Sequence, residues 1–292
     1  LTDADLKNAL ESPIPEVVAF ARSIESRKQD RRFGLWFTIG SILLIVVTGA
    51  LSLFGKLASQ IPFIVMIAMV IASFVVPLMR KPPAPPDLVS IERLLQDDCD
   101  PYRYARAYND LLPLFERPSD QVICRLSIAH GLFLQGAYET MESFLQTLNP
   151  YSIPELTLQS LYDIQARYFL HRHDEHAVSI VEGNLKGFSS SYPHQTIVAL
   201  CNQTLCLIEA YRLARQGDAE AAYKRLEERN SSITQLGGGT TRFQLVDYHY
   251  NRAVVGEMAS DYASMVTDCL YVIENGGLLA YVQEASDMLD RH

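Results

Sequence analysis

Side chains that could do chemistry are concentrated in one stretch, His171-Arg172-His173-Asp174-Glu175-His176. Its three imidazoles and two carboxylates fall within six consecutive positions. Neutral imidazole nitrogens and a carboxylate are zinc ligands, and a zinc ion lowers the pKa of its bound water enough to make a nucleophile near neutral pH. The chemistry on offer is metal-dependent hydrolysis. The competing reading is a solvated polar turn, and the flanking chain decides between them. Apolar residues on both sides recur at helical spacing, and no run alternates with period two. The stretch is therefore expected to be a turn between helices.

The six residues resemble the HxHxDH zinc motif of the metallo-β-lactamase superfamily, with Glu175 where that family has Asp. The resemblance implies a motif that follows a β-strand and is completed by distant His and Asp ligands, and no strand is expected here. Other catalytic patterns are missing from the sequence: no G-x-S-x-G elbow, HExxH, kinase set or Rossmann glycine pattern occurs. Gly237-Gly238-Gly239 lacks the trailing Gly-Lys-Ser/Thr of a phosphate-binding loop. The acidic pairs Asp97-Asp98 and Glu227-Glu228 suit solvated helix ends. Cys99, Cys124, Cys201, Cys206 and Cys269 are odd in number and lie in apolar helical surroundings, as buried free thiols in a reducing compartment would. No catalytic residue, metal site or cofactor is assigned, and the chain is expected not to be an enzyme.

The elements that position these residues divide sharply by charge. The 292 residues carry a net charge of −9. Residues 1–81 hold 9 Lys+Arg and 6 Asp+Glu, leaving 16 and 28 for the remainder, a balance of −12. An acidic domain repels phosphates, which disfavours a nucleic-acid partner. Between Phe33 and Met79 the only charged residue is Lys56. The apolar runs 33–54 and 63–79 are 22 and 17 residues long. At about 1.5 Å per residue the first covers a hydrocarbon core of about 30 Å, and the second is at the lower limit. Pro62 suits the first turn of the second helix.

Arg27, Lys28, Arg31 and Arg32 precede the hairpin and Arg80 and Lys81 follow it, so the positive-inside bias puts both termini and the large domain in the cytoplasm. The first 30 residues are polar and mixed in charge, so no cleavable signal peptide is expected. In a cytoplasmic domain the glycosylation sequons at Asn202 and Asn230 would be inert. Ahead of the spans, over 1–32, Val17, Phe20, Ala21 and Ile24 repeat at helical spacing, so Pro15 is expected to open an amphipathic juxtamembrane helix. Residues 80–87 contain a stiff Pro-rich linker.

Residues 88–292 repeat a short form: a small residue, a polar or small one, Tyr or Ala, then an apolar residue three further on. The turns fall near 100, 136, 172, 217 and 260. This pattern resembles the tetratricopeptide (TPR) family, whose unit is two antiparallel helices. That family prefers a small residue seven positions before the turn, where Ala129, Gln165, Ala210 and Ala253 stand. Five positions after it stand Ala105, Met141, Ala177, Ala222 and Met265. The large aromatic that opens each TPR unit is missing, and the later spacings exceed the usual one. The resemblance implies an all-α, TPR-like stack of helix pairs with an exposed concave surface, closed by a terminal helix over 277–290. Leu278, Leu279, Tyr281 and Val282 would cover the last pair.

In such a stack the first helix of each pair lines the groove. The alignment places His130, Gln159, Tyr162, Asp163, Tyr211, Asp247, Tyr250 and Asn251 there. Tyrosines with a few amides and acids suit a peptide or partner helix. The balance of −12 favours a basic partner. The expected role is a membrane-anchored protein-interaction scaffold in a larger membrane assembly. The alternatives are an accessory subunit of a transporter or secretion channel acting through its hairpin, and the hydrolase of the histidine stretch.

Overall fold

The computed structural model describes residues 3–30, 33, 36, 39, 88–148, 153–237 and 240–292. Among them every regular element is a helix and none is a strand. The two expected spans lie outside the described residues, apart from Phe33, Trp36 and Ile39, and so does the linker. Among the described residues one helix, Gln195–Arg215, is long and apolar enough to cross a membrane by length and composition alone. It buries Ile197, Cys201, Leu207, Ile208, Ala210 and Ala214, as a core helix does.

The chain divides into two compact units, one of Leu6–Leu88 and one of Leu1–Asp5 with Val89–His292. Near the N-terminus, α1 (Asp3–Leu10) is followed by helical backbone over 15–30, which begins at Pro15 as expected. Val17, Phe20 and Ala21 are buried and Ile24 is half-buried.

The larger unit contains α2 (Val89–Gln96), α3 (Pro101–Leu111), α4 (Pro118–Leu134), α5 (Tyr138–Gln146), α6 (Glu155–His171), α7 (Glu175–Ser191), α8 (Gln195–Arg215), α9 (Ala219–Gly237), α10 (Arg242–Met258), α11 (Tyr262–Asn275) and α12 (Ala280–Arg291). Short turns fold α4 on α5, α6 on α7, α8 on α9 and α10 on α11. Each of these four turns, and the turn from α2 to α3, has one residue in the left-handed region: Cys99 (φ 52°) for α2 to α3, then Gly136 (74°), His173 (56°), Gly217 (82°) and Ser260 (60°). In four of the five, aspartate follows it. Asp100, Asp174 and Asp261 cap the next helix by accepting from the backbone N–H three residues on, and Asp218 accepts from Ala221 in the same way. The left-handed residue reverses the chain, and the aspartate satisfies an N–H that the new helix leaves without an internal partner.

This geometry corrects the register of two repeats; the first turn centres on Cys99 rather than Asp100, which puts Tyr104 rather than Ala105 five positions on, both of them buried. Counted from the left-handed residues, seven positions back gives Ala129, Ala166, Ala210 and Ala253, all fully buried. Gln165 is only half-buried. Five positions on gives Met141, Val178, Ala222 and Met265, again buried, whereas Ala177 is half-buried. The third turn centres on His173 rather than Arg172 because a histidine stands where its neighbours carry glycine.

Helices α4, α6, α8 and α10 contact one another in succession as an inner layer. That layer returns on itself. The Phe243 ring of α10 meets His130 of α4 edge-on at 6.0 Å, and the Thr241 hydroxyl donates to Gln96 of α2 at 2.7 Å. The ends of the unit also cap each other, since the Leu278 N–H donates to the Cys99 carbonyl at 3.1 Å. The adjoining Gly277 has φ 58°, and a Cβ there would stand 3.0 Å from that same oxygen. The open concave surface expected of a repeat stack is thus closed at its rim. Within the expected capping segment Leu279 and Tyr281 are buried, but Leu278 is exposed.

Candidate functional site: two cavities and a buried charge layer

The histidine stretch is a turn whose side chains do not converge. Asp174 caps α7, accepting from the Ala177 N–H at 3.0 Å. Glu175 pairs with Arg215. The His171 ring packs on Tyr138, 4.4 Å between centroids. His173 and His176 are exposed. Among the described residues no three His, Cys, Asp or Glu side chains are grouped to hold a metal ion. The residues of the metallo-β-lactamase resemblance serve here as helix cap, ion pair and surface.

The centre of the inner layer holds a charge cluster instead. Arg167 of α6 donates through Nε to Asp163 at 2.8 Å and through both Nη atoms to Asp247 of α10, at 2.6 and 3.3 Å. Arg229 reaches in from α9 to the same Asp247, at 2.9 Å. The Thr204 hydroxyl donates to Asp163 at 2.7 Å, and the Tyr281 hydroxyl to Asp247 at 3.3 Å. Tyr211 donates to the Asn251 side-chain oxygen at 2.9 Å, and Asn251 donates to the Asp247 carbonyl at 2.6 Å.

Burial would raise the pKa of both aspartates, but the two guanidiniums overcome it and hold them below the usual carboxylate range. Asp247 lies farthest below. His130, beside the cluster, is pushed down to about 4 by burial and by the charge of Arg167, against the pull of Asp163 and Asp247. It is a neutral imidazole at physiological pH.

The charge layer separates two cavities. One, of about 710 Å³, is lined by the earlier residues of the inner helices, including Gln159, Asp163, His130 and Asp247. The other, of about 390 Å³, is lined by their later residues, including Tyr211, Tyr250 and Asn251, and by α12. The four inner helices therefore run parallel from the first cavity to the second, and Arg167 lines both. Seven of the eight residues expected on the groove border one cavity or the other. The eighth, Tyr162, lies against Phe188 at 6.3 Å.

The predicted face is recognisable, but Tyr211, Asp247, Tyr250 and Asn251 are buried and hydrogen-bonded within the unit. Sequence reasoning missed Arg167, Arg229 and Glu284. The i, i+4 pair Asp163–Arg167, on a helix whose Ile164, Ala166 and Leu170 are buried, was a usable signal for the first. Glu284 accepts from Tyr138 at 2.7 Å and from Tyr250, and these partners lie too far away in sequence to be anticipated. Comparison with protein-family models, curated proteins and solved structures gives no match to this chain.

Proposed function

We propose that the chain is a membrane-anchored interaction module. A two-span hairpin over 33–54 and 63–79 holds a TPR-like helical-repeat domain at the cytoplasmic face, where it binds another protein as part of a larger membrane assembly. The observation that carries the reading is the placement of seven sequence-selected residues around two cavities that open from the inner helices. Cavities lined by aromatic rings, amides and a few charges suit recognition. The anchoring half draws support from the apolar runs 33–54 and 63–79, between which Lys56 is the only charged residue.

Topology is tested with a membrane-impermeant maleimide on intact cells, using Ser59→Cys in the hairpin link and Ser179→Cys on α7. Cys99, Cys124, Cys201 and Cys269 are buried and offer little background, and half-buried Cys206 is replaced by serine. Burial pushes Cys99 and Cys269 up to about 11 and Cys124 up to about 12, which suppresses the reactive thiolate. Labelling at position 59 alone is the expected result. Labelling at position 179 in intact cells overturns the cytoplasmic assignment.

A further inference from the structure

The cavity at the later ends of the inner helices has an uneven balance of charge. Glu257, Glu284 and Asp287 line it with Arg291 as their cation, while Arg167 is already matched across the central layer by Asp163 and Asp247. Arg291 is held by Glu257 at 2.7 Å. Glu284 accepts from two tyrosine hydroxyls and has His171 Nδ1 at 3.8 Å, with no lysine or arginine paired to it among the described residues. Asp287 accepts from Gln283 at 2.7 Å. Two carboxylates are thus left without a guanidinium or ammonium.

Two independent features favour a positive charge in the same space. Inner helices α4, α6 and α10 end here, with Phe133, His171 and Met258 in their last turns, and helix C-termini carry partial negative charge. Tyr211, Tyr250 and Tyr281 border the cavity; the last two are stacked at 3.8 Å with rings 5° from parallel, so each keeps one face uncovered by the other, and aromatic ring faces attract cations. The remaining wall is apolar, with Phe133, Leu207 and Met288 buried in it.

We propose that this cavity binds an organic cation, an ammonium or guanidinium group on an apolar stem, with Glu284 as its principal counter-charge, Asp287 supplementing it, and the tyrosines and apolar wall holding the stem. The group can come from a free amine or from a lysine or arginine side chain of a peptide. The assignment concerns the cavity itself and does not require a protein partner. Failure of amine binding would defeat this assignment and leave the interaction reading standing, whereas absence of a protein partner would defeat the interaction reading alone.

The test uses the full chain in non-ionic detergent, titrated by ligand-observed NMR with n-butylammonium, n-butanol and butyrate. Saturable binding of the ammonium is expected, tighter than butanol by about tenfold, with no saturable binding of butyrate. Glu284→Gln should lose most of that advantage. Asp287→Asn, at an exposed position, should weaken it by about twofold with an unchanged circular dichroism spectrum, and it keeps the test valid if the first variant fails to fold.

Nα-acetyl-lysine N-methylamide distinguishes the sources. Binding tighter than butylammonium supports a peptide side chain, and weaker binding supports a free amine. Equal affinity for ammonium and alcohol, saturable butyrate binding, or folded variants that both keep full affinity would overturn the proposal.

Discussion

Arg167 and Asp247 are 80 positions apart in sequence, yet both Nη atoms of the arginine grip the one carboxylate, at 2.6 and 3.3 Å. Each side chain is less than a tenth exposed. This pair joins α6 to α10 across the inner layer and separates the two cavities. Desolvating two charges costs several kcal/mol per ion, which geometry of this quality and the further bonds from Arg229, Tyr281 and Asn251 offset.

Breaking the pair from one side leaves a buried uncompensated charge. Asp247→Ala and Arg167→Ala are each expected to destabilise the larger unit by about 3–5 kcal/mol in urea unfolding. Residues 88–292 expressed alone should be soluble and helical by circular dichroism, giving the material for this measurement. The double variant Arg167→Met with Asp247→Leu should cost less than the sum of the single changes, because the two charges leave together, while Asp163 and Arg229 each lose a direct partner. A double variant as damaging as the sum of the singles would mean that the pair is not the unit described.

His130 gives the unit a pH dependence of known sign. The unfolded imidazole titrates near 6.5, and the folded one is lowered to about 4. Between these values the unfolded chain binds a proton that the folded chain refuses, so stability is fully present above the upper value and falls as pH drops toward the lower. The loss should total about 3 kcal/mol and level off below. His130→Gln should flatten this part of the profile. Asp247, whose pKa is depressed, contributes stability above the unfolded carboxylate value near 3.9, and that is lost only as pH falls further. A wild-type profile that is flat from pH 6.5 to 4 would contradict the placement of His130.

The turn signature is tested at Ser260 and Asp174. A non-glycine residue in the left-handed region costs about 1–2 kcal/mol, so Ser260→Gly should be neutral or stabilising by about 1 kcal/mol. Asp174→Ala removes the cap on α7 and should cost about 1 kcal/mol. Thermal unfolding reads both. A large stabilisation by Asp174→Ala would show that the aspartate serves something other than the helix.

Overpacking tests the inner crossing. Ala210 is fully buried where α8 meets its neighbours, and Ala210→Trp should cost about 1–3 kcal/mol or prevent folding. A surface-like response there would deny the packing of α8.

Helical periodicity and short turns are local properties, and the sequence carried them well. Gly136, Gly217 and Ser260 fall where the repeat alignment put the turns. What the alignment lost was one register step at Cys99 and one at His173, because neither residue advertises a left-handed position as glycine would. Closure of the inner layer was not legible at all. It depends on Phe243 meeting His130 and on Thr241 reaching Gln96, contacts between distant positions that no single repeat encodes. For the same reason the groove residues were selected as a face, but their mutual hydrogen bonds and their division by Arg167 were not foreseen.

The interaction reading is tested most directly by photo-cross-linking the full chain in native membranes. A photoreactive residue is placed at Gln203 on the rim of one cavity, at Asp287 on the rim of the other, and at exposed Ser179 on outer helix α7. The account predicts discrete protein adducts from a cavity rim, none from position 179, and loss of any adducts at position 287 in a folded Tyr211→Ala, Tyr250→Ala chain. Adducts from position 179 alone, or adducts at position 287 that survive the tyrosine changes, would contradict it.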